Sequence, residues 1–461
     1  MPTWLVVLVA FGVNNAIWGS LSLVRLIEER IAKNKEADSP LPRSYRGTTL
    51  RELGDRRSAN NRETGPHRLC VEDVAVLIPA HNEALVISRT LAAILELVPR
   101  ENVHVISDAS TDHTVDEALQ HGVHVAETPV NVGKAGALEF AVEHFHLVDS
   151  FEVVLLLDAD SQLKDGYFEA ALPLLDDPEV VAVAGCAETD WNSGVDTYVG
   201  KMLLTHRSRV YALTQRLIKM GQTRKSTNAL YIIPGFASLY RTSVLPEMDM
   251  NPHGLVIEDF NMTFEVYRRR LGKVACTLAA CAKTQDPDNF REYVGQTKRW
   301  SLGFWQTVRR HKLRLRFFWL ALVVLCVELI ASSAILLLLP LVLLFYFIPA
   351  LYPALLSNPL VSELHVVLVT NMNVAAVVLA IIIPDFILTL FVSVAERKIR
   401  YVVFAPVFLP MRMVDAAITL YSLPQAFLKR SDGRWKSPTR RAVPGAPTKP
   451  AVEHHTERVA S

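Results

Sequence analysis

The chain has no Cys-x-x-Cys pair, and its five cysteines (Cys70, Cys186, Cys276, Cys281 and Cys326) form no Cys/His array with the spacing of a zinc site. That argues against a zinc-built or disulfide-stapled fold, and a reducing, cytosolic setting fits the middle of the chain. Cys276 and Cys281 are the one close pair, and they read as small core residues. Charge of either sign is not in excess: 48 Lys and Arg face 47 Asp and Glu, a net charge of +1. Nothing in that balance attracts nucleic acid or another polyanion at long range, so no nucleic-acid partner is expected. A basic segment is also missing ahead of the first apolar stretch, residues 4–27, whereas Arg25, Arg30, Lys33 and Lys35 follow or close it. A cleaved signal peptide carries its positive charge first. The positive-inside rule instead makes residues 1–27 a transmembrane anchor with the following chain in the cytosol. Residues 28–70 are short of large apolar side chains and read as a basic linker able to lie on anionic lipid.

Apolar residues are abundant: half the chain is hydrophobic and the mean hydropathy is +0.22, high for a soluble protein. The excess sits at the two ends, which implies a multi-pass membrane protein with a soluble middle. Residues 317–348 are apolar apart from Glu328, with Pro340 inside the run. Residues 364–394 form the next candidate span, with Pro384 and Asp385 within it. Residues 401–428 carry Pro406, Pro410, Arg412, Asp415 and Pro424, and such charges are costly at mid-bilayer. The membrane region 317–428 is therefore expected to hold two spans plus a re-entrant, interfacial or third spanning segment. Basic flanks at 311–316 and 396–400 place the soluble middle in the cytosol. Residues 429–461 are basic, contain Pro444, Pro447 and Pro450, and read as a disordered tail.

Between residues 71 and 310 the pattern alternates strand and helix, which predicts an α/β domain with a mostly parallel sheet and helices on both faces. Its centre is the unbroken apolar run at 153–157, a strand buried on both sides, which ends at Asp158 and Asp160. Strands at 74–79 and 103–108 end beside Glu83 and at Asp108. A short third strand is expected at 123–126, and helices at 84–97, from the 110–114 cap to about Gly122, and at 137–145. Ligands of open α/β sheets sit beyond the carboxyl ends of the strands, where these acids fall. Two carboxylates one residue apart repel unless a cation joins them, and hard divalent cations share carboxylates with substrate phosphates. Lys134 lies at a helix start, electrostatically poor for a cation without an anion nearby. Glu258 and Asp259 precede a helical stretch at 260–271. Gln296, Arg299 and Trp300 stand at i, i+3 and i+4, on one helical face.

Taken in order, the motifs Ile78-Pro-Ala-His-Asn-Glu83, Asp108, Asn131-Val-Gly-Lys-Ala-Gly136, Asp158-Ala-Asp160, Glu258-Asp259 and Gln296-Thr-Lys-Arg-Trp300 resemble a membrane-integrated family 2 glycosyltransferase. The resemblance covers about residues 73–310. It is strongest to processive polysaccharide synthases of the cellulose, hyaluronan, chitin and poly-N-acetylglucosamine type, and it implies a nucleotide-sugar-binding, GT-A-like fold flanked by transmembrane helices. It implies Mg²⁺ or Mn²⁺ at Asp158 and Asp160, with Asp160 the direct ligand. Pro79, Glu83, Asp108, Lys134, Asp158 and Arg299 are then nucleotide-sugar contacts. Asp259, with Glu258 beside it, is the base that deprotonates the acceptor hydroxyl. Gln296 and Trp300 are acceptor contacts, and the 234–238 loop corresponds loosely to the loop at the acceptor end. The family pattern has two consecutive acids where this chain has Ser107 and Asp108.

The implied activity is inverting, metal-dependent extension of a β-linked polysaccharide at the cell membrane. The donor is a UDP-sugar, N-acetylglucosamine first and glucose second. Accessory envelope subunits are compatible with that type. The competing expectations are transfer of a single sugar to a membrane lipid, as in glucosylceramide-synthase-like enzymes, and a catalytically silent subunit of an envelope assembly.

Overall fold

The computed structural model describes residues 12–37 and 68–428. Residues 1–11 of the expected anchor, 38–67 of the linker and the 429–461 tail lie outside the described residues. The helix α1 (Val13–Ala37) runs through the expected boundary at residue 27. The reason is docking. Trp18 and Ser22 are buried, and the Arg25 guanidinium donates to the Met220 carbonyl at 3.1 Å and the Cys276 carbonyl at 2.6 Å. Arg224 and Glu28 pair at 2.7 Å. Glu328, the one acid in the 317–348 run, accepts the Asn14 backbone N–H at 2.7 Å and its amide at 2.9 Å. A carboxylate at the start of α1 satisfies donors that the first turn leaves unmatched.

Among the described residues eight strands make one sheet, in the order β3-β2-β1-β4-β7-β6-β8-β5. They are β1 (Val74–Ala80), β2 (Val103–Ser107), β3 (His124–Glu127), β4 (Val153–Leu157), β5 (Gln162–Leu163), β6 (Val180–Thr189), β7 (Ala237–Arg241) and β8 (Lys273–Thr284). Every residue of β1 and β4 is buried. Successive side chains go to opposite faces: Val74, Val76 and Ile78 enter one core with Val153, Leu155 and Leu157, while Ala75 and Leu77 enter the other with Val154 and Leu156. Helix α2 (Ile87–Ile94) and helix α3 (Thr114–Gln120) contribute to the first core, and α4 (Gly133–His144) to the second. Both faces are therefore covered.

The expectation of a mostly parallel sheet needs correction: the sheet is mixed. Strands β3, β2, β1 and β4 are parallel, but β7 is antiparallel to both β4 and β6, and β5 is antiparallel to β8. Between β6 and β7 the chain makes a long excursion through α5 (Tyr198–Leu213) and re-enters the sheet at the same carboxyl edge it left. As a result β7 begins where β4 finishes, with Ala237 opposite Leu157.

Helix α6 (Asp259–Arg269) packs into the second core, and α7 (Phe290–Arg310) leads to the C-terminal helices α8 (Phe317–Leu351), α9 (Pro359–Asn371), α10 (Val374–Glu396) and α11 (Ala405–Leu428). Among the described residues two helices, α8 and α10, are long and apolar enough to cross a membrane. Helix α11 packs against α7 and α8, and α10 against α5.

Candidate active site

The carboxyl ends of β1, β2 and β4 open onto one edge, and Lys134 is the hub there. Gly133 has φ +82, a left-handed turn that lets the chain enter α4 directly after β3 and its loop. Lys134 follows, with its cation at the positive end of a helix, a placement that costs free energy unless anions surround it. They do: its Nζ lies 2.7 Å from Asp158 Oδ1 and 3.1 Å from Glu258 Oε1, and donates to the Gly235 carbonyl at 3.2 Å. Burial pushes the ammonium down, but Asp158, Glu258 and Asp259 together outweigh it and hold Lys134 above its usual range. A Cβ on Gly235 would stand 3.1 Å from Glu258 Oε1 and 3.2 Å from Lys134 Nζ, so the backbone approach here suits glycine.

Asp259 opens α6, and its Oδ1 accepts the Phe260 N–H at 2.7 Å. Burial, and then the neighbouring Glu258 carboxylate, push its carboxyl up to about 7, while Lys134 and the N–H groups of Phe260 and Gly235 restrain it. A carboxylate with that affinity for a proton suits general-base work near neutral pH better than an ordinary aspartate does.

The nucleoside end is built differently. Asp108 is fully buried; its oxygens accept Thr128 Oγ1 at 2.9 Å and the backbone N–H groups of Val132 and Gly133 at 2.8 Å each. Of the about four acceptor positions on a carboxylate, three thus serve the loop that presents Lys134. His81 Nδ1 lies 2.6 Å from the Asp108 carbonyl, and its Nε2 lies 3.3 Å from the amides of Asn82 and Asn131. Those partners suit a neutral ring with its proton on Nδ1. Glu83 is buried, and its carbonyl accepts the Val86 and Ile87 N–H groups ahead of α2. Pro79 sits inside β1, opposite Ile106. Beside them a cleft of about 380 Å³ is lined by Ala109, Ser110, Glu127, Thr128 and Pro129.

Asp158 and Asp160 diverge. Asp158 faces Lys134, whereas Asp160 accepts Ser161 Oγ at 3.3 Å; burial raises the Asp286 carboxyl and the Tyr211 hydroxyl, and the Asp160 charge adds a smaller push to each. Among the described residues no cluster of three His, Cys, Asp or Glu side chains is poised to hold a metal. The donor set is oxygen only, which fits a hard cation that uses one or two carboxylates and takes its other ligands from water and phosphate. Since Asp158 is engaged by an ammonium, Asp160 is the carboxylate that a cation reaches without displacing Lys134.

On α7, Gln296 and Trp300 are both tied to a residue that sequence reasoning missed, Arg207 of α5. Its Nη2 donates to Gln296 Oε1 at 2.9 Å and Thr297 Oγ1 at 3.2 Å, its Nε stands 4.0 Å from Asp286 Oδ1, and its guanidinium lies over the rings of Trp300 (4.5 Å) and Tyr293 (4.7 Å). One face of Trp300 is therefore taken by a cation. The signal for Arg207 was present: His206, Arg207, Ser208 and Arg209 run consecutively through an otherwise amphipathic helix, and all four are buried. Buried cations need partners. Like Arg207 Nε, Arg299 Nε is buried with no hydrogen-bond partner among the described residues.

The structure thus brings Lys134, Asp158, Glu258 and Asp259 into one ion cluster. Pro79, Glu83 and Asp108 stand on the adjoining strand edge, and Arg207 joins Asp286 to Gln296 and Trp300.

Comparison with known proteins finds relatives for the sheet-bearing part of the chain. A probable glycosyltransferase, YdaM of Bacillus subtilis (strain 168), is 27% identical over 241 residues, 50% of this chain and 54% of the relative. The chain thus matches about half the length of that curated relative. Among solved structures, the mannosyltransferase PcManGT from Pyrobaculum calidifontis, in complex with GDP-Man and Mn²⁺, is similar over 89% of this chain and 99% of its own at 15% identity and a TM-score of 0.46. Glucosyl-3-phosphoglycerate synthase from Mycobacterium tuberculosis, in complex with phosphoglyceric acid, is similar over 57% of this chain and 82% of its own at 18% identity and a TM-score of 0.35. The family description that matches is "Glycosyltransferase like family 2", over residues 72–303, half of the chain and the whole of the sheet and its strand-end acids. The chain belongs to that family of glycosyltransferases.

Proposed function

We propose that the chain is an inverting, metal-dependent hexosyltransferase that uses a UDP-sugar, N-acetylglucosamine first and glucose second, to extend a β-linked polysaccharide at the cell membrane. In this reading it is a multi-pass protein of the cell membrane, with the catalytic domain on the cytosolic side. The observation that carries the chemistry is Asp259, a carboxyl lifted to about 7 and standing with Glu258 against the Lys134 ammonium.

Asp259 takes the proton from the acceptor hydroxyl. The freed oxygen attacks the anomeric carbon in line with the leaving group, the bond from that carbon to the diphosphate breaks, and one displacement inverts the centre. Lys134 holds Asp158 and Glu258 so that the base is not surrounded by unmatched anions. In this reading Arg299, whose buried Nε has no partner among the described residues, forks onto the diphosphate. Mg²⁺ or Mn²⁺, held by Asp160 with Asp158 beside it, would neutralise the charge that builds on the departing diphosphate. Gln296 and Trp300, fixed by Arg207, border the acceptor.

Transfer of one sugar to a membrane lipid is the second reading. It is favoured by the way α7, which carries Trp300, leads straight into the apolar helix α8 and packs against α11. Incubating the protein in membranes with a panel of UDP-sugars and either cation, while measuring UDP release and product size, tests both. Long glycan supports the first reading, and a lipid with one or a few sugars supports the second. No UDP release with any sugar sinks both and favours a silent subunit.

A further inference from the structure

The acid expected to read a base, Asp108, is largely taken up by the protein itself. Asp108 is fully buried with its oxygens turned to Thr128, Val132 and Gly133. Position 107, where the family pattern has a second acid, is a fully buried serine. A carboxylate stands next door on another strand. Glu127 ends β3, is the register partner of Ser107, and accepts the Ser107 hydroxyl on Oε1 at 3.4 Å. It is exposed, and it lines the cleft that opens at the carboxyl ends of β2 and β3. Ala109, in a left-handed turn with φ 50, and Ser110, which accepts the Asn82 N–H at 3.1 Å, form the cleft together with Thr128 and Pro129. Glu127 is the one charged side chain in that lining.

We propose that Glu127 is the specificity-determining residue for the nucleobase, its carboxylate accepting the ring N–H of uracil in place of the acid missing at position 107. This rests on the nucleotide-sugar reading given above. The acceptor count favours uracil. Oε1 is shared with the Ser107 hydroxyl, which leaves Oε2 as the acceptor with its full capacity. Uracil presents one N–H, between two carbonyls, whereas guanine presents two adjacent N–H donors and wants both carboxylate oxygens.

The test uses the full chain in detergent with Mn²⁺ and measures dissociation constants for UDP, N3-methyl-UDP and GDP by calorimetry. The wild type is expected to prefer UDP to both others. Glu127→Ala is expected to weaken UDP about tenfold, the usual scale for a hydrogen bond to a charged group, and to bind UDP and its N3-methyl analogue equally. Glu127→Gln, which keeps an amide oxygen, should fall between. Glu127 is exposed at the end of an edge strand, so both variants should melt with the wild type. If Glu127→Ala keeps the full preference for UDP over the methylated analogue, or if the wild type prefers GDP, the proposal is overturned. Arg299→Ala separates the two levels of inference: when it loses UDP and Glu127→Ala does not, the donor site stands and only the role of Glu127 falls. When the wild type binds no nucleotide at all, both fall.

Discussion

Replacing Lys134 with methionine removes the only cation that touches Asp158 and Glu258 among the described contacts, while nearly keeping the side-chain volume. Two opposite charges about 3 Å apart attract by about 5 kcal/mol at an effective dielectric of 20, before desolvation is subtracted. Breaking a buried pair costs about 3–5 kcal/mol, but here the Glu258 side chain is 9% exposed and Asp158 32%, so water recovers part of the loss. The net destabilisation should be about 2–3 kcal/mol, a fall in melting temperature of about 5–10 °C for a domain of this size. The sign with pH is fixed by Asp259. Its folded value of about 7 lies above the ordinary aspartate range, so the folded chain holds this proton more tightly than the unfolded chain. Its contribution to stability is whole below the unfolded value of about 4 and is lost as pH rises through the folded value. Lys134 is one of the groups that restrain Asp259, so its removal extends that window upward. The variant should therefore lose more stability at pH 8 than at pH 5, and the acid limb of its residual UDP release should move to higher pH. Thermal melts at the two pH values and a pH series of UDP release measure both effects. Equal melting temperatures at pH 8 for wild type and Lys134→Met, with superimposable pH profiles, would refute the hub.

Asp259→Asn should abolish transfer, hold UDP affinity within about threefold, and melt above the wild type at pH 8, because a buried charge costs more than a buried amide; a higher-melting variant that still transfers would remove Asp259 as base. Arg299→Ala should weaken UDP by about tenfold or more, as loss of a charge-assisted hydrogen bond does, with little change in melting temperature, because its buried Nε has no protein partner to lose. Chelation should stop transfer, and added Mn²⁺ or Mg²⁺ should restore it. Asp160→Asn should raise the metal concentration needed for half activity more than Asp158→Asn does, and the opposite order would exchange the two acids' roles.

The parts of the fold legible in the sequence are those where one residue type has one physical use. Unbroken apolar runs at 74–78 and 153–157 became strands buried on both faces, and the acids after them stand on one edge. Lys134 drew attention because a cation at a helix start needs anions, and the anions are there. The end of α1 was not legible: the polar side chains from residue 25 onward read as solvent-loving, yet Arg25 and Glu28 find partners on segments about 200 residues away. Arg207 escaped for a related reason. A charge on a helix is usually solvated, and only tertiary packing places this one between two aromatic rings. Nor does Asp108 announce in the sequence that its carboxylate will be turned inward to hold a loop.

The direction of β7 could not be read from its residues either, because Ala237–Arg241 would satisfy a parallel or an antiparallel ladder equally. Yet that direction builds the site. Running antiparallel, β7 starts at the carboxyl end of β4, so the loop before it, Pro234 to Phe236, lies over Asp158, whose N–H donates to the Phe236 carbonyl at 3.1 Å. The same loop brings the Gly235 carbonyl to Lys134 and the Gly235 N–H to Asp259. A parallel β7 would put its own start at the far edge of the sheet and leave the ion cluster without these backbone partners. A buried ammonium among three carboxylates is stable only when its remaining donors are matched as well. The one reversal in the central strand order is therefore what permits a lysine and a base of raised proton affinity to share a single buried cluster.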